Sequence, residues 1–236
     1  MKTAILVPYF GNVDYEHLQC MNALKVLARD QTTPVWFVEL PHCPWIDMAQ
    51  AFLADRALSD PEVDILFWIE HDMVFSQVDV FKMADLCRVS QYDILGAAYS
   101  QRRPKGFVVG EPTPKNGEKI EFFGEKTYDA THCGLGFTAM KRRVFEELRR
   151  DLKEVYCPAV DMKIFPYFAH IIEDMYLGQD SSFYRRANRA GLRIGINASP
   201  RVFHRGPYNY GLEDTGIQVP RYDRLIIENP NYTKGS

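Results

Sequence analysis

The feature that most constrains the fold is the apolar run Ile65–Ile69, Ile-Leu-Phe-Trp-Ile, within a strand predicted at Asp64–Ile69. Its residues are apolar on both faces of a β-strand. Such a strand needs cover on both sides of its sheet, as in sheets that carry helices on each face. The run therefore predicts a central strand of a layered α/β protein.

The first hundred residues alternate between strand and helix patterns. Strands are predicted at Ala4–Phe10, Pro34–Leu40, Asp64–Ile69 and Tyr92–Tyr99, with amphipathic helices beginning near Asp14, Asp47 and Ser76. This succession is the signature of a doubly wound, mainly parallel sheet flanked by helices. Ligands of such sheets bind outside the carboxyl ends of the strands, so we expect a site after Phe10, Leu40 and above all Ile69.

The second half of the chain is less regular. Arg102–Lys119 is rich in Pro, Gly and Lys and is predicted to be an exposed loop, whereas Arg142–Leu152 and Ser181–Ala190 are predicted helices. No linker separates two independent units. We therefore expect one domain over residues 1–236 with two halves, 1–100 and 101–236.

Composition excludes several classes of protein. With 46% hydrophobic residues, the chain can build a large core, which excludes disorder. A net charge of −3 argues against a dedicated nucleic-acid binder, and the apolar runs are far shorter than the ~20 residues of a transmembrane helix. Five scattered cysteines without a C-x-x-C pair argue against a disulfide framework or zinc finger and favour a reducing, cytoplasmic compartment.

Three polar residues, Glu70, His71 and Asp72, directly follow the buried strand. Because burying them would carry a large desolvation cost, they must emerge at the strand's carboxyl end, where a ligand is expected. Two carboxylates two residues apart can hold Mg²⁺ or Mn²⁺, with phosphate oxygens of a substrate completing the coordination. A solvated turn between strand and helix would give the same isolated pattern.

The run from residue 65 to 75, ILFWIEHDMVF, resembles the strand and D-x-D motif of nucleotide-sugar glycosyltransferases with the GT-A fold, of the family 2 type. Further segments resemble that family in the expected order, at Ile5–Phe10, Cys133–Phe145 and Gly178–Gly191. The resemblance spans about residues 4–206. It implies a single-domain GT-A-like fold, in which residues 1–100 bind the nucleotide and residues 101–236 hold the acceptor and the catalytic groups.

The resemblance implies a divalent metal that bridges the diphosphate of the donor. Asp72 matches the metal ligand, and His204 matches a histidine that reaches the metal from the C-terminal side. Glu70 replaces the first Asp of the motif, which often contacts the ribose, and is one methylene longer. A lone histidine is often structural. His71 is expected to point away, because alternate residues leave a strand end on opposite sides.

The remaining donor contacts follow from the same resemblance. Pro8 and Tyr9 would surround the nucleotide base at the end of the first strand, and Glu39 ends the second strand, where base or ribose contacts are common; Asp14 is a further candidate. Gly134 lies in the small-residue segment beside the sugar and the acceptor.

Asp180 matches the carboxylate that inverting members of the family use as a general base. An acceptor hydroxyl is a poor nucleophile until a carboxylate within hydrogen-bond reach takes its proton. Asp180 could instead cap the helix that follows, and the two roles are compatible. Gln179 stands where the family usually has an acid, and Glu173-Asp174 is a rival acidic pair in poorer register.

Two further groups of residues are candidates for substrate contacts. Cations that could offset the charge of a departing diphosphate are Arg102, Arg103, Lys105 and Arg205. Aromatic residues that could stack on a sugar, or simply pack, are Tyr208, Tyr210 and Tyr222.

Together these features predict a metal-dependent glycosyltransferase that moves a sugar from a nucleotide-diphosphate donor to a hydroxyl of a glycan or other acceptor, with inversion, using Mn²⁺ or Mg²⁺. Two alternatives stay open. A nucleotidyltransferase can use a similar sheet, although the N-terminal segment has no Gly-rich phosphate motif. A non-catalytic carbohydrate- or nucleotide-binding module is the other.

Overall fold

The computed structural model describes residues 1–9, 13–41, 45–102, 108–113, 120–206, 209–214 and 226–227. The helices are α1 (Tyr15–Leu27), α2 (Ile46–Leu58), α3 (Gln77–Val89), α4 (Arg142–Arg149) and α5 (Gln179–Arg189), with 3-10 turns at Ala28–Asp30 and Leu212–Asp214. The strands up to residue 121 are β1 (Lys2–Pro8), β2 (Val35–Leu40), β3 (Val63–Ile69), β4 (Met73–Val74), β5 (Ile94–Ala97), β6 (Tyr99–Ser100), β7 (Val108–Val109), β8 (Glu111–Pro112) and β9 (Ile120–Glu121). Those beyond it are β10 (Thr127–His132), β11 (Phe137–Lys141), β12 (Val155–Cys157), β13 (Met162–Ile164), β14 (Ile171–Ile172), β15 (Tyr176–Leu177), β16 (Ile194–Asn197), β17 (Phe203–Arg205), β18 (Asn209–Tyr210) and β19 (Ile226–Ile227).

A central sheet of eight strands has the order β2-β1-β3-β11-β5-β16-β10-β8. β1 pairs in parallel with β2 and β3, and β5 pairs in parallel with β16. β11 lies antiparallel between β3 and β5, and β10 lies antiparallel between β16 and β8. All the other strands share one direction, so the predicted α/β fold with a mainly parallel central sheet is confirmed.

β3 is buried on both faces, as its composition predicts. Leu66 and Trp68 belong to a core cluster that also contains residues of α2, α4 and α5. Ile65, Phe67 and Ile69 belong to a second cluster on the opposite face, together with residues of α1 and α3. Helices therefore cover each side of this strand, and its carboxyl end opens at the edge of the sheet.

The predicted element boundaries need several corrections. β1 ends at Pro8, and Phe10 lies outside the described residues. α2 begins at Ile46, one residue before the predicted start at Asp47. Asp47 therefore lies in the first turn, where an acid interacts favourably with the helix dipole. α4 ends at Arg149, and α5 begins two residues before the predicted Ser181.

The strand predicted at Tyr92–Tyr99 is divided into two. β5 stays in the central sheet, whereas β6 leaves it and pairs with β7, with Tyr99 opposite Val109. This departure brings Tyr99 and Ser100 next to β17, which carries His204. The break therefore helps to build the site described below.

Two findings bear on the classes excluded by composition. Within the described ranges, no helix is both long and apolar enough to cross a bilayer. Cys20, Cys87, Cys133 and Cys157 are free thiols, and Cys43 lies outside the described residues.

Candidate functional site

The acidic motif forms the tight turn that follows β3. The Met73 backbone N–H donates to the Glu70 carbonyl at 3.1 Å, which reverses the chain within three residues. β4 then pairs antiparallel with β17, so that His204 lies opposite Met73. The Arg205 N–H also donates to the Asp72 carbonyl at 2.6 Å. This pairing carries a C-terminal histidine to the end of the central strand.

Asp72 and His204 are brought together at this turn. Asp72 Oδ2 lies 3.3 Å from His204 Nε2 and 2.9 Å from a guanidinium nitrogen of Arg102. Asp72 Oδ1 is buried and has no hydrogen-bond partner in the described part of the chain. Burial raises the pKa of Asp72, but the hydrogen bond and charge of His204 and the charge of Arg102 outweigh it and hold the pKa below its ordinary value.

The backbone fixes the tautomer of His204. Its Nδ1 lies 3.1 Å from the Ser100 carbonyl oxygen, which can only accept, so Nδ1 carries the proton and donates. The Tyr99 ring packs edge-on against the imidazole, with 5.5 Å between ring centroids. In the neutral ring, Nε2 therefore keeps its lone pair and directs it at the Asp72 carboxylate. Two acceptors at this distance attract each other only when a proton or a cation lies between them.

This donor set suits a divalent cation. An imidazole nitrogen and a carboxylate oxygen are both ligands of Mn²⁺, and the orphaned Asp72 Oδ1 is a further free oxygen. Among the residues described, no group of three or more His, Cys, Asp or Glu side chains is placed to hold a metal. Asp72 and His204 would therefore supply two protein ligands, and water or phosphate oxygens the rest, as is usual for Mg²⁺.

Two further acids, Glu70 and Asp180, are coupled by charge to each other, and Glu70 is also coupled to Asp72. Burial, followed by the negative charges of Asp180 and Asp72, raises the pKa of Glu70 well above its ordinary value, although the charge of Arg102 opposes this. Burial also raises the pKa of Asp180 to about 6, and a hydrogen bond from the Leu135 backbone N–H limits the rise. A carboxyl group that ionises near pH 6 can accept a proton at neutral pH.

Asp180 does not cap its helix. α5 begins at Gln179 with Gly178 at the N-cap position, and no side chain caps it. Asp180 lies in the first turn, with its Oδ1 buried and without a partner among the described residues. The capping interpretation is therefore wrong. The Asp180 carboxylate instead accepts a hydrogen bond from the Leu135 backbone N–H.

The rival acidic pair lies on the surface. Glu173 and Asp174 are exposed in the turn between β14 and β15, and Glu173 forms an ion pair with Arg189 at 2.8 Å. This pair is therefore separate from the acids gathered at the end of β3.

Tyr99 is a site residue that the sequence reasoning missed. Its hydroxyl accepts a hydrogen bond from the Gly136 N–H at 3.0 Å, and the Glu70 N–H donates to the Gly136 carbonyl at 3.0 Å. A Cβ on Gly134 would overlap the Tyr99 hydroxyl and lie 2.6 Å from Cζ, which explains the glycine there. The Gly-x-Gly spacing at 134–136, which lets backbone approach a large side chain, was the available signal.

The charges of Glu70 and Asp180 also affect the pKa of Tyr99. Burial, followed by the charges of Glu70 and Asp180, raises the pKa of the Tyr99 phenol well above its ordinary value. The phenol therefore stays protonated and lies between the acidic pair and His204.

The predicted donor residues meet at the ends of β1 and β2. Pro8 lies opposite Leu40, the last residue of β2, and the Tyr9 N–H donates to the Leu40 carbonyl at 2.9 Å. The Tyr9 hydroxyl donates to Glu39 Oε1 at 2.9 Å, and Lys25 forms an ion pair with the same carboxylate at 2.9 Å. Burial, together with Glu39, raises the pKa of Tyr9. The structure thus joins Pro8, Tyr9 and Glu39 at one end of the sheet.

Several other candidates are held by neighbouring residues. Asp14 accepts from the Glu16 N–H at the start of α1 and binds Arg205 Nε at 3.0 Å, so that these two charges compensate each other. His71 is half-buried, and burial lowers its pKa. Tyr210 is buried, which favours packing over an exposed stacking surface.

Of the predicted phosphate cations, Arg102 reaches the acids directly. Four other predicted contacts lie outside the described residues, namely Arg103, Lys105, Tyr208 and Tyr222.

Comparisons with known proteins find a shared fold. No protein-family model and no curated protein sequence matches the chain. The chain resembles the crystal structure of A197 from STIV over 94% of its own length and 100% of that chain, with a TM-score of 0.57 and 16% identity. At this identity, the likeness shows the fold alone.

Two further solved structures resemble the chain at lower TM-scores. One is GalNAc-T7 with UDP, GalNAc and Mn²⁺, at 12% identity and a TM-score of 0.48, over 90% of this chain and 44% of that one. The other is a Drosophila β-1,4-galactosyltransferase 7 mutant in complex with manganese, UDP-Gal and xylobiose, at 12% identity and a TM-score of 0.45, over 84% of this chain and 65% of that one. The chain thus spans less than two thirds of the length of these two.

Proposed function

We propose that the protein is a metal-dependent glycosyltransferase of the GT-A type, which transfers a sugar from a nucleoside diphosphate donor to an acceptor hydroxyl with inversion. One observation carries the proposal. A carboxylate–imidazole pair suited to a divalent cation, Asp72 with His204, is joined through Glu70 to a further acid, Asp180, because the charges of Asp72 and Asp180 both act on Glu70, and the pKa of Asp180 is raised to about 6. A group that holds a diphosphate and a group that accepts a proton are the two requirements of this transfer.

Asp180 is the proposed general base. Its carboxylate takes the proton of the acceptor hydroxyl as the oxygen forms a bond to the anomeric carbon of the donor sugar. The bond from that carbon to the diphosphate oxygen breaks, and the nucleoside diphosphate leaves with the electron pair. Because the incoming oxygen attacks opposite the leaving group, the configuration at the anomeric carbon inverts.

Asp72 and His204 would hold the cation, Mn²⁺ or Mg²⁺, which when bound stabilises the negative charge of the departing diphosphate as a Lewis acid. Arg102 has an exposed side chain beside Asp72 and can add a second positive charge there. Burial and the negative charges of Asp180 and Asp72 raise the pKa of Glu70 well above its ordinary value, and its protonated form would donate a hydrogen bond to a ribose or sugar hydroxyl. Pro8, Tyr9 and Glu39 are the proposed contacts to the nucleoside.

Calorimetry with UDP, GDP, CDP and dTDP, with and without Mn²⁺, tests the donor site. We expect one nucleotide to bind in a Mn²⁺-dependent manner and the Asp72→Ala variant to lose that dependence. Asp151→Ala, which removes an exposed carboxylate at the end of α4, is the matched control and should bind as the wild type does. A folded protein that binds none of the four nucleotides contradicts the proposal and favours a binding module.

The reaction itself is tested with sugar donors of the base so identified. Slow transfer of the sugar to water releases the nucleoside diphosphate. NMR should detect this hydrolysis even before the acceptor is known. A product with the same anomeric configuration as the donor would exclude direct inversion by Asp180. Release of pyrophosphate from a nucleoside triphosphate would instead identify a nucleotidyltransferase.

A further inference from the structure

A cavity of about 460 Å³ lies beside Asp180 and takes no part in the donor site. This volume falls in the range of small-molecule sites. One wall is a face of α5, and the other comes from β8, the end of β10 and the hairpin before α5. The side chains that line it include Glu111, Thr131, His132, Tyr184, Arg185 and Asn188.

The cavity is next to the proposed base. Ser181, which also lines it, directly follows Asp180, and Tyr184 lies one helical turn after Asp180. Tyr184 is buried, with its hydroxyl 2.9 Å from Cys133 Sγ, and the charge of Asp180 contributes to the raised pKa of this phenol after burial and Cys133. Tyr184 therefore lines the cavity and lies within electrostatic reach of Asp180.

The polar groups of the cavity are mixed in character. Arg185 is exposed and forms no ion pair with any described residue, so its N–H groups are available as donors. Asn188 Nδ2 donates to the carbonyls of Thr131 and Tyr184, both at 2.8 Å, which leaves its Oδ1 as an acceptor. The Glu111 carboxylate accepts a hydrogen bond from Thr131 Oγ1 through one oxygen, at 3.0 Å, which leaves its other oxygen as an acceptor.

His132 adds a group that can either donate or accept a hydrogen bond. Its Nε2 is buried and has no hydrogen-bond partner within the described part of the chain. Burial lowers the pKa of this imidazole, so the ring is neutral and presents one donor and one acceptor nitrogen. The ring packs on Tyr184, with 4.7 Å between centroids, so the two rings line the cavity together.

This combination indicates the chemistry of the ligand. An anion would be repelled by Glu111 and a cation by Arg185, whereas a sugar hydroxyl both donates and accepts and can satisfy all of these groups. Leu177, Met175 and Tyr184 offer apolar surface for the C–H face of a ring. We infer that the cavity binds a sugar residue of a carbohydrate acceptor, an inference that rests on the proposed function because it takes Asp180 as the base.

Saccharide binding tests this inference directly. The probes are methyl glycosides of glucose, galactose, mannose and N-acetylglucosamine and their β-1,4-linked disaccharides, titrated against the full chain by saturation-transfer NMR. We expect at least one to bind the wild type, and Arg185→Ala and Glu111→Ala each to weaken its binding at least ten-fold. Arg189→Ala is the matched control, since this arginine lies on the same helix but faces a different cavity and pairs with Glu173.

Two outcomes would overturn the inference: no saccharide of the panel binds, or the variants bind it as tightly as the wild type and the control do. Binding of a Ser- and Thr-containing peptide in its place would also overturn it. The nucleotide calorimetry separates this inference from the proposed function. A protein that binds a nucleotide but no saccharide contradicts the cavity assignment alone, whereas one that binds a saccharide but no nucleotide contradicts the transferase and, with it, the acceptor role.

Discussion

Asp72 Oδ2 and His204 Nε2 lie 3.3 Å apart although 132 positions separate the two residues in the sequence. The antiparallel pairing of β4 with β17 creates this contact, and the Ser100 carbonyl orients the imidazole. The contact therefore depends on three separate segments of the chain, each fixed by backbone hydrogen bonds.

Replacing His204 by alanine should remove the proposed nitrogen ligand without disturbing β17, whose pairing uses backbone groups. We expect the Mn²⁺-dependent part of the nucleotide affinity to fall by about 10- to 100-fold, as for other disturbed metal sites. Calorimetry with and without Mn²⁺ measures this. His170→Ala, at an exposed histidine between β13 and β14, is the control, and equal losses in both variants would contradict the assignment.

The Asp180→Asn substitution should abolish proton acceptance while it keeps the shape of the side chain. We expect turnover to fall by about 10²- to 10⁴-fold, with nucleotide affinity unchanged within two-fold. Steady-state kinetics and calorimetry together give both values. Asp174→Asn, in the exposed rival pair, should leave both unchanged. If Asp174→Asn reduced turnover instead, the base would have to be reassigned.

The pH dependence of the rate should report the ionisation of Asp180. Because the base acts only when ionised, and burial raises its pKa to about 6, kcat/KM should rise with pH through about 6 and then level off. A rate profile measured from pH 4.5 to 8.5 at constant ionic strength shows this. A profile that is already flat at pH 5 would contradict the assignment.

Asp180 should also cost the folded protein stability at neutral pH. Its pKa is raised from an ordinary 3.8 to about 6 on folding, so its contribution to the free energy of unfolding is complete below pH 3.8 and is lost as the pH rises through 6. Asp180→Asn should therefore raise the free energy of unfolding by about 1–3 kcal/mol at pH 8. Urea unfolding at pH 8 and pH 4 measures it, and the gain should fall below about 1 kcal/mol at the lower pH, which lies just above 3.8.

The close approach of Gly134 to Tyr99 gives a prediction about packing. A methyl group on Gly134 must displace the Tyr99 ring, so Gly134→Ala should lower the free energy of unfolding by about 1–3 kcal/mol and reduce nucleotide affinity. Gly124→Ala, where an added Cβ meets its nearest atom only at 3.9 Å, is the control and should stay within about 0.5 kcal/mol of the wild type. Urea unfolding compares the two.

The parts of the fold that were predictable are those in which composition determines burial. The run Ile65–Ile69 is apolar on both faces, and it forms a strand covered by helices on both sides. The placement of Glu70 and Asp72 at its end follows from the cost of burying charge. These predictions need only local sequence and the geometry of parallel sheets.

The parts that were not predictable depend on pairings between distant segments. Tyr99 enters the site because β6 leaves the central sheet, a departure that the continuous apolar pattern from Tyr92 to Tyr99 does not reveal. Arg205 looks like a free cation in the sequence, yet Asp14, on an element near the opposite terminus, neutralises it. The sequence is equally compatible with Asp180 as a helix cap, and only the structure shows that Gly178 is at the N-cap and that the Asp180 carboxylate accepts a hydrogen bond from the Leu135 N–H.

The antiparallel strand β11 has a consequence for how the molecule folds and how it can be divided. β11 comes from the second half of the chain but lies between β3 and β5 of the first half, and it pairs with both. A fragment of residues 1–100 would leave unpaired the edges of β3 and β5 that β11 covers, and because both strands are largely apolar this favours aggregation over independent folding. The segment that would bind a nucleotide and the segment that carries Asp180 should therefore unfold in one cooperative transition, and neither should be transplantable without the other.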